Sequence, residues 1–140
     1  MTAAKAIKKI LSVKSDPKEV VQVELFLEKI NKQLHLDDLR FNKLLVATTE
    51  AVNNSIVHGN KRNPQKIVTI TLEFFNNTIS VSVEDEGPGL DTSALPDPLT
   101  EENLLRENGR GVFLMRSLMD KVTFGKTSRG SIVIMSMEWK

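Results

Sequence analysis

The residues Asp85-Glu86-Gly87-Pro88-Gly89 follow a strand-like segment and could contact a ligand directly. Alternation places Ile79, Val81 and Val83 on one strand face, and one further step on that face reaches Asp85. A buried carboxylate is costly unless it is hydrogen-bonded. Asp85 could cap the turn that follows it, or accept hydrogen bonds from an exocyclic amine such as that of adenine. Gly87 and Gly89 would let the backbone approach a flat ligand closely.

A second glycine motif, Gly109-Arg110-Gly111, stands where a third helix is predicted to begin. Free backbone N–H groups and the helix dipole make such a position suitable for an anion, and glycines leave room for phosphates. A loop that needs unusual backbone angles would explain the same residues. A single glycine pair is therefore weak support for a phosphate site.

The segment EAVNNSIVHGN, residues 50–60, ends a predicted helix and is unusually polar. Glu50 and Asn54 are four residues apart, so they share one helix face about one turn from each other. Such a pair could simply be solvated. Each of the three features has an ordinary structural explanation alone, but their occurrence together, in this order and on these elements, favours a ligand site.

The rest of the sequence predicts the framework that positions these residues. We predict strands at 5–13, 68–74, 79–85, 121–125 and 131–139, and helices at 17–34, 37–58 and from 109 onward. Asp16, Pro17 and Glu19 predict a capping box at the first helix. Residues 91–108 predict a mobile loop. Neighbouring strands with short turns imply antiparallel pairing, which gives an α+β two-layer sandwich with helices on one face of a mostly antiparallel sheet.

Composition restricts the function further. The 140 residues suit a single domain spanning 1–140. The chain has no cysteine, which excludes disulfides, thiolate zinc sites and cysteine nucleophiles and fits a reducing compartment. A net charge of +1 lacks the basic excess of nucleic-acid binding, and no apolar stretch predicts a membrane span or a signal sequence.

The three motifs together resemble the boxes of the Bergerat-fold ATPases, the superfamily of gyrase, heat-shock chaperone, mismatch-repair and histidine-kinase ATP-binding domains. EAVNNSIVHGN resembles the N box, DEGPGLD the first glycine box and NGRGVFLM the second. Within this superfamily the sequence is most similar to the bacterial anti-sigma-factor serine kinases. The resemblance covers about residues 5–138.

The resemblance implies roles for individual residues. Asn54 matches the asparagine that binds Mg²⁺ through its side-chain oxygen, and Glu50 matches the general base that acts on a substrate serine or threonine. Asp85 matches the adenine-reading aspartate. The remaining matches are glycines of the two glycine boxes, namely Gly87, Gly89, Gly109 and Gly111. Residues 91–108 would form a lid over the nucleotide.

Two positions depart from the pattern of the family. Several relatives have an arginine just before the second glycine box, whereas this chain has Arg106 and, between the glycines, Arg110. Either residue could contact phosphate. A third box often reads Gly-Thr, and here it is Gly130-Ser131, whose serine still supplies a hydroxyl. His58 is expected to pack or hydrogen-bond rather than to act in catalysis.

The resemblance implies an ATP- and Mg²⁺-dependent protein serine/threonine kinase that acts as an anti-sigma factor in the cytoplasm. Its expected partners are a sigma factor and a small antagonist protein that it phosphorylates, and it is expected to form a homodimer. Neither a nucleic acid nor a membrane is expected as a partner. An ATP-binding module that sequesters a partner with little turnover is the main alternative. A histidine-kinase catalytic domain acting in trans and a domain without a nucleotide site fit less well.

Overall fold

The computed structural model describes residues 6–88 and 107–139, and all structural statements below concern these residues. Of the predicted loop at 91–108, residues 91–106 lie outside them, as does Gly89, whereas Glu107 and Asn108 belong to a helix that was predicted to begin at Gly109. In chain order the helices and strands are β1 (Ile7–Lys14), α1 (Val20–Leu34), α2 (Asp38–Asn54), β2 (Ile67–Phe75), β3 (Thr78–Asp85), α3 (Glu107–Leu118), β4 (Lys121–Lys126) and β5 (Ser131–Glu138). No helix in these two ranges is long and apolar enough to span a bilayer.

The five strands form one sheet in the order β1-β2-β3-β5-β4, and every pairing among them is antiparallel. This confirms the predicted α+β class and its antiparallel sheet. Two register positions matter for the site. Val83 lies opposite both Ile70 on β2 and Val133 on β5, and Asp85 lies opposite Ser131. The strand ends at Asp85 and Ser131 therefore meet at one corner of the sheet.

One face of the sheet is buried beneath the helices and forms the core. Alternate residues of β2, β3 and β5 point into this core, including Ile70, Val81 and Met135, which are fully buried. The residues between them, such as Thr71, are partly or fully exposed on the other face. This alternation is typical of a sheet with one solvated side, and it confirms the two-layer arrangement.

Aspartates cap the start of α2 and the 3₁₀ turn that leads into α1. Asp37 Oδ1 accepts a hydrogen bond from the Arg40 N–H at 2.7 Å and caps α2. Asp16 Oδ1 accepts from the Lys18 N–H at 3.0 Å, ahead of a 3₁₀ turn at Pro17–Glu19. The predicted capping box is wrong in one respect. The Asp16 N–H donates to the Lys14 carbonyl at 2.9 Å and therefore does not pair with Glu19.

The helix that begins at Asp38 changes its hydrogen bonding where regular α-helix was predicted to continue. After Asn54 the chain forms a π-helical turn, Ser55–Gly59, which ends with the Asn60 N–H donating to the Ser55 carbonyl at 2.7 Å. Single π turns within helices are found frequently at functional sites. This turn widens the end of the segment and carries Gly59 toward the end of β3.

Candidate functional site

A pocket opens between the end of α2, the π turn, α3 and the adjacent ends of β3, β4 and β5. It encloses about 590 Å³ of empty space, counting the part that opens to solvent. Asn54, Asp85 and Ser131, three of the residues predicted from the sequence, line the same pocket.

Asp85 is buried, with 8% of its surface exposed, and donors among the described residues occupy one of its two oxygens. Oδ1 accepts hydrogen bonds from the Gly87 N–H at 2.9 Å and from the Ser131 hydroxyl at 2.7 Å. No donor in residues 6–88 or 107–139 is hydrogen-bonded to Oδ2. The carboxylate is thus fixed through one oxygen and has the other available for a ligand that donates a hydrogen bond.

Two glycines allow the backbone to pack tightly around Asp85. A Cβ on Gly59 would lie 2.7 Å from the Asp85 Cγ, and a Cβ on Gly87 would lie 2.5 Å from the carbonyl carbon of Gly59. Both distances are far below normal contact, so no side chain fits at either position without movement. Gly87 was predicted as a ligand-approach residue, and the structure shows that it also approaches Gly59 closely.

Glu50, Asn54 and Gly111 come together where α2 meets α3. A Cβ on Gly111 would lie 2.9 Å from Asn54 Nδ2 and 3.3 Å from Glu50 Oε2. Gly111 of the second glycine box therefore faces the carboxylate and the amide of the N-box segment. Gly111 is the fifth residue of α3, so its amide lies within the regular hydrogen bonding of the helix, whereas Gly109 lies in the first turn.

Asn54 is the residue best suited to hold a cation. Its Nδ2 is buried, and no acceptor in the described part of the chain bonds it. These residues include no cluster of three His, Asp or Glu side chains that could hold a metal ion. A cation here would need oxygens from a ligand besides Asn54, which fits Mg²⁺ because it takes few protein ligands and binds substrate phosphates.

The wall of the pocket is apolar and was largely missed from the sequence. Val83, Val133, Met115 and Phe124 line it, and the guanidinium of Arg116 lies 5.8 Å from the centre of the Phe124 ring. Such a wall suits a flat, weakly polar ring. The alternation in KVTFG could have placed Phe124 on the buried face, but nothing in the sequence indicated that β4 borders the pocket.

Two other residues that were singled out from the sequence are exposed to solvent. Arg110 is exposed on α3, and His58 is exposed where it lines the pocket. Asn60 was not singled out from the sequence, although it belongs to the N-box segment. Its side chain is 1% exposed and is hydrogen-bonded to three other segments of the chain.

Residues 13–137 match the family described as the histidine kinase-like ATPase domain. The chain is 36% identical over 99 residues to serine-protein kinase RsbW of Staphylococcus epidermidis, an alignment that covers 66% of this chain and 61% of that protein. It is 29% identical over 119 residues to the anti-sigma F factor of Clostridium perfringens (strain SM101 / Type A), covering 82% of this chain and 81% of that protein. The chain thus spans about three fifths of the length of the RsbW relative.

Solved structures agree with the fold. The RsbU and RsbW domains of Rv1364c from Mycobacterium tuberculosis superpose with a TM-score of 0.70 at 12% identity, covering 94% of this chain and 32% of that one. The catalytic domain of histidine kinase ThkA gives a TM-score of 0.51 at 11% identity, covering 93% and 96%. The family match over nearly the whole chain, on a fold that brings the three boxes to one pocket, shows that the chain belongs to the histidine kinase-like ATPase domain family.

Proposed function

We propose that this protein is an ATP-dependent serine/threonine protein kinase that acts as an anti-sigma factor in a partner-switching circuit. The observation that carries the proposal is that Gly111 faces both Glu50 and Asn54, so closely that a Cβ on it would lie 2.9 Å from Asn54 Nδ2 and 3.3 Å from Glu50 Oε2. It puts a carboxylate that can act as a base beside an amide that can hold a cation, at one side of the pocket that Asp85 also lines.

Each end of the pocket has its own role in this proposal. Asp85 Oδ2 accepts a hydrogen bond from the adenine amine, and Ser131 holds the carboxylate in place through Oδ1. Asn54 Oδ1 holds Mg²⁺, with Gly87, Gly89, Gly109 and Arg110 near the nucleotide. When bound, Mg-ATP supplies the phosphoryl group, as the substrate oxygen bonds to the γ-phosphorus and the bond to the bridging oxygen breaks.

Glu50 completes the transfer by accepting the proton of the substrate hydroxyl. Its side chain is partly exposed, so a protein substrate can reach it from solvent. Gly111 lies against it without a side chain, which leaves space for the substrate serine or threonine. The base and the cation ligand are one helical turn apart, and this spacing lets one helix position both the attacking hydroxyl and the phosphates.

The names of two relatives support a proposal about the partner proteins of this chain. One relative is a serine-protein kinase and another an anti-sigma F factor. We therefore propose a sigma factor as the sequestered partner and a small antagonist protein as the phosphorylated one. A cytoplasmic homodimer is part of the same proposal.

An ATP-gated sequestering module with little turnover is the second candidate. Among the residues described, no lysine or arginine lines the pocket, and Arg110 is exposed. Phosphoryl transfer usually relies on positive groups that neutralise charge on the transferring phosphate. A site without such a positive group would bind the nucleotide but transfer its γ-phosphoryl group slowly.

The test is phosphoryl transfer from γ-labelled Mg-ATP to proteins of the native cell lysate captured on the immobilised protein. Glu50→Gln keeps the side-chain shape but removes the base, so we expect labelling of a captured serine or threonine to fall about 100-fold or more, with ATP affinity nearly unchanged. Glu28→Gln is the matched control because Glu28 is exposed on α1. Equal labelling by Glu50→Gln and wild type would contradict the role of Glu50, and capture without labelling by wild type would favour the sequestering module.

A further inference from the structure

Asn60 connects three segments of the chain through one buried side chain, of which 1% is exposed. Its Nδ2 donates to the Ser15 hydroxyl at 2.8 Å and to the Ile67 carbonyl at 3.1 Å. Its Oδ1 accepts from the Glu86 N–H at 2.8 Å. Both hydrogens and the oxygen of the amide are therefore used, which accounts for an uncharged polar group at this depth.

The backbone of Asn60 is as firmly fixed as its side chain. Its N–H closes the π turn by donating to the Ser55 carbonyl at 2.7 Å. The residue before it, Gly59, lies against the Asp85 carboxylate and against Gly87. One residue thus joins the end of the N-box segment to the first glycine box.

The bond to Glu86 matters because Glu86 directly follows the base-reading carboxylate. The Ser131 hydroxyl donates to Asp85 Oδ1, and Gly130 packs so closely that a Cβ on it would lie 2.7 Å from the Glu86 Cα. Asn60 fixes the same stretch at the next residue, where its Oδ1 accepts from the Glu86 N–H. Glu86 is fixed a second time when its Oε2 accepts from the Ile67 N–H at 2.7 Å.

We infer that Asn60 is a positioning residue for base recognition, which it achieves by fixing the Asp85–Gly87 segment so that Asp85 Oδ2 points at the exocyclic amine of the base. The inference rests on the proposed function, in which Asp85 reads adenine. Asn60 itself does not line the pocket. Without its amide the Glu86 N–H and the Ile67 carbonyl lose their side-chain partner, and the segment is then held by the bonds of Gly87, Ser131 and the Glu86 carboxylate.

Base selectivity is the readout that separates positioning from simple structural support. The experiment compares the Kd of ATP with that of purine riboside triphosphate, which has hydrogen in place of the 6-amino group, for wild type and variants. Asp85→Ala gives the ratio of the two affinities for a site that cannot hydrogen-bond the 6-amino group through residue 85. We expect Asn60→Ala to lower the wild-type preference for ATP about three- to tenfold, as the loss of one well-aimed hydrogen bond would.

Ser15→Ala is the matched control. It removes one bond to Asn60 and the Ser15 bond to the Lys66 carbonyl at 2.7 Å, but leaves the Glu86 contact intact. We expect a lower thermal midpoint with an unchanged ratio. If Asn60→Ala does not fold, Asn60→Ser, measured at low temperature, is judged by the same ratio.

The outcomes separate this inference from the function on which it rests. A folded Asn60 variant that binds both nucleotides more weakly but keeps the wild-type ratio would overturn the positioning role while leaving ATP binding intact. Wild type that prefers ATP no more than Asp85→Ala does would overturn base reading by Asp85. Wild type that binds neither nucleotide would overturn the proposed function itself.

Discussion

Gly111 shows at the residue scale how an absent side chain can shape a site. It stands in a helix, where glycine costs about 0.5–1 kcal/mol relative to alanine. The atoms that a Cβ would meet, Asn54 Nδ2 and Glu50 Oε2, are the far ends of flexible side chains. Alanine could therefore be accommodated in the fold, but only by displacing the two groups assigned to the cation and to the base.

We predict that Gly111→Ala separates stability from function. Without nucleotide, its thermal midpoint should equal or exceed that of wild type because alanine is the better helix former. The Mg²⁺-dependent affinity for ATP should fall about tenfold because Asn54 is displaced, an estimate equivalent to about 1.4 kcal/mol. Thermal unfolding and calorimetric titration measure the two effects. Ser117→Ala, on the exposed side of the same helix, should leave the ATP affinity unchanged, and unchanged ATP affinity in Gly111→Ala would refute the assigned contact.

At the scale of elements, the sequence predicted each helix and strand of the described part, but not every detail of how they end. Alternation in β3 placed Asp85 on the buried face, and the structure confirms this position. The π turn could not be predicted because Ser55–Gly59 has no composition that distinguishes it from α-helix. Its five-residue bonding depends on packing against β3, which local propensity does not report.

The cap of α2 leads to a prediction about pH. The hydrogen bond from the Arg40 N–H, with the nearby Arg40 and Lys43 charges, lowers the pKa of Asp37 below its ordinary value of 3.8. A lowered pKa in the folded state means that the ionised carboxylate stabilises the fold fully above 3.8, and that this contribution is lost as pH falls through the lower folded pKa.

The measurement is urea unfolding of wild type and Asp37→Asn at about pH 6 and about pH 2.5. Asparagine can still cap the helix but carries no charge. We expect wild type to be the more stable protein at the higher pH and the difference to shrink at the lower one. Asp38→Asn makes the same charge change beside the cap and serves as control. A difference that does not vary with pH would contradict the account.

At the scale of the whole molecule, the sequence predicted the three boxes of the site better than the residues that surround and support them. The three boxes were recognisable because each is local, and the family match confirms the resemblance they carried. The sequence did not show that Asn60 links separate segments, because its hydrogen-bond partners Ser15 and Glu86 lie 45 and 26 residues away along the chain. The apolar wall was missed for a similar reason, since Phe124 borders the pocket only through the pairing of β4 with β5. The roles assigned to individual site residues remain predictions.

The proposed function depends most on one pocket that binds the nucleotide at both the base and the phosphates. The direct test is an experimental structure of the full chain with Mg²⁺ and a non-hydrolysable ATP analogue. We predict Asp85 Oδ2 within about 3 Å of the exocyclic amine, and Asn54 Oδ1 about 2.0–2.1 Å from the metal. A nucleotide whose base lies away from Asp85, or a metal bound without Asn54, would contradict the account.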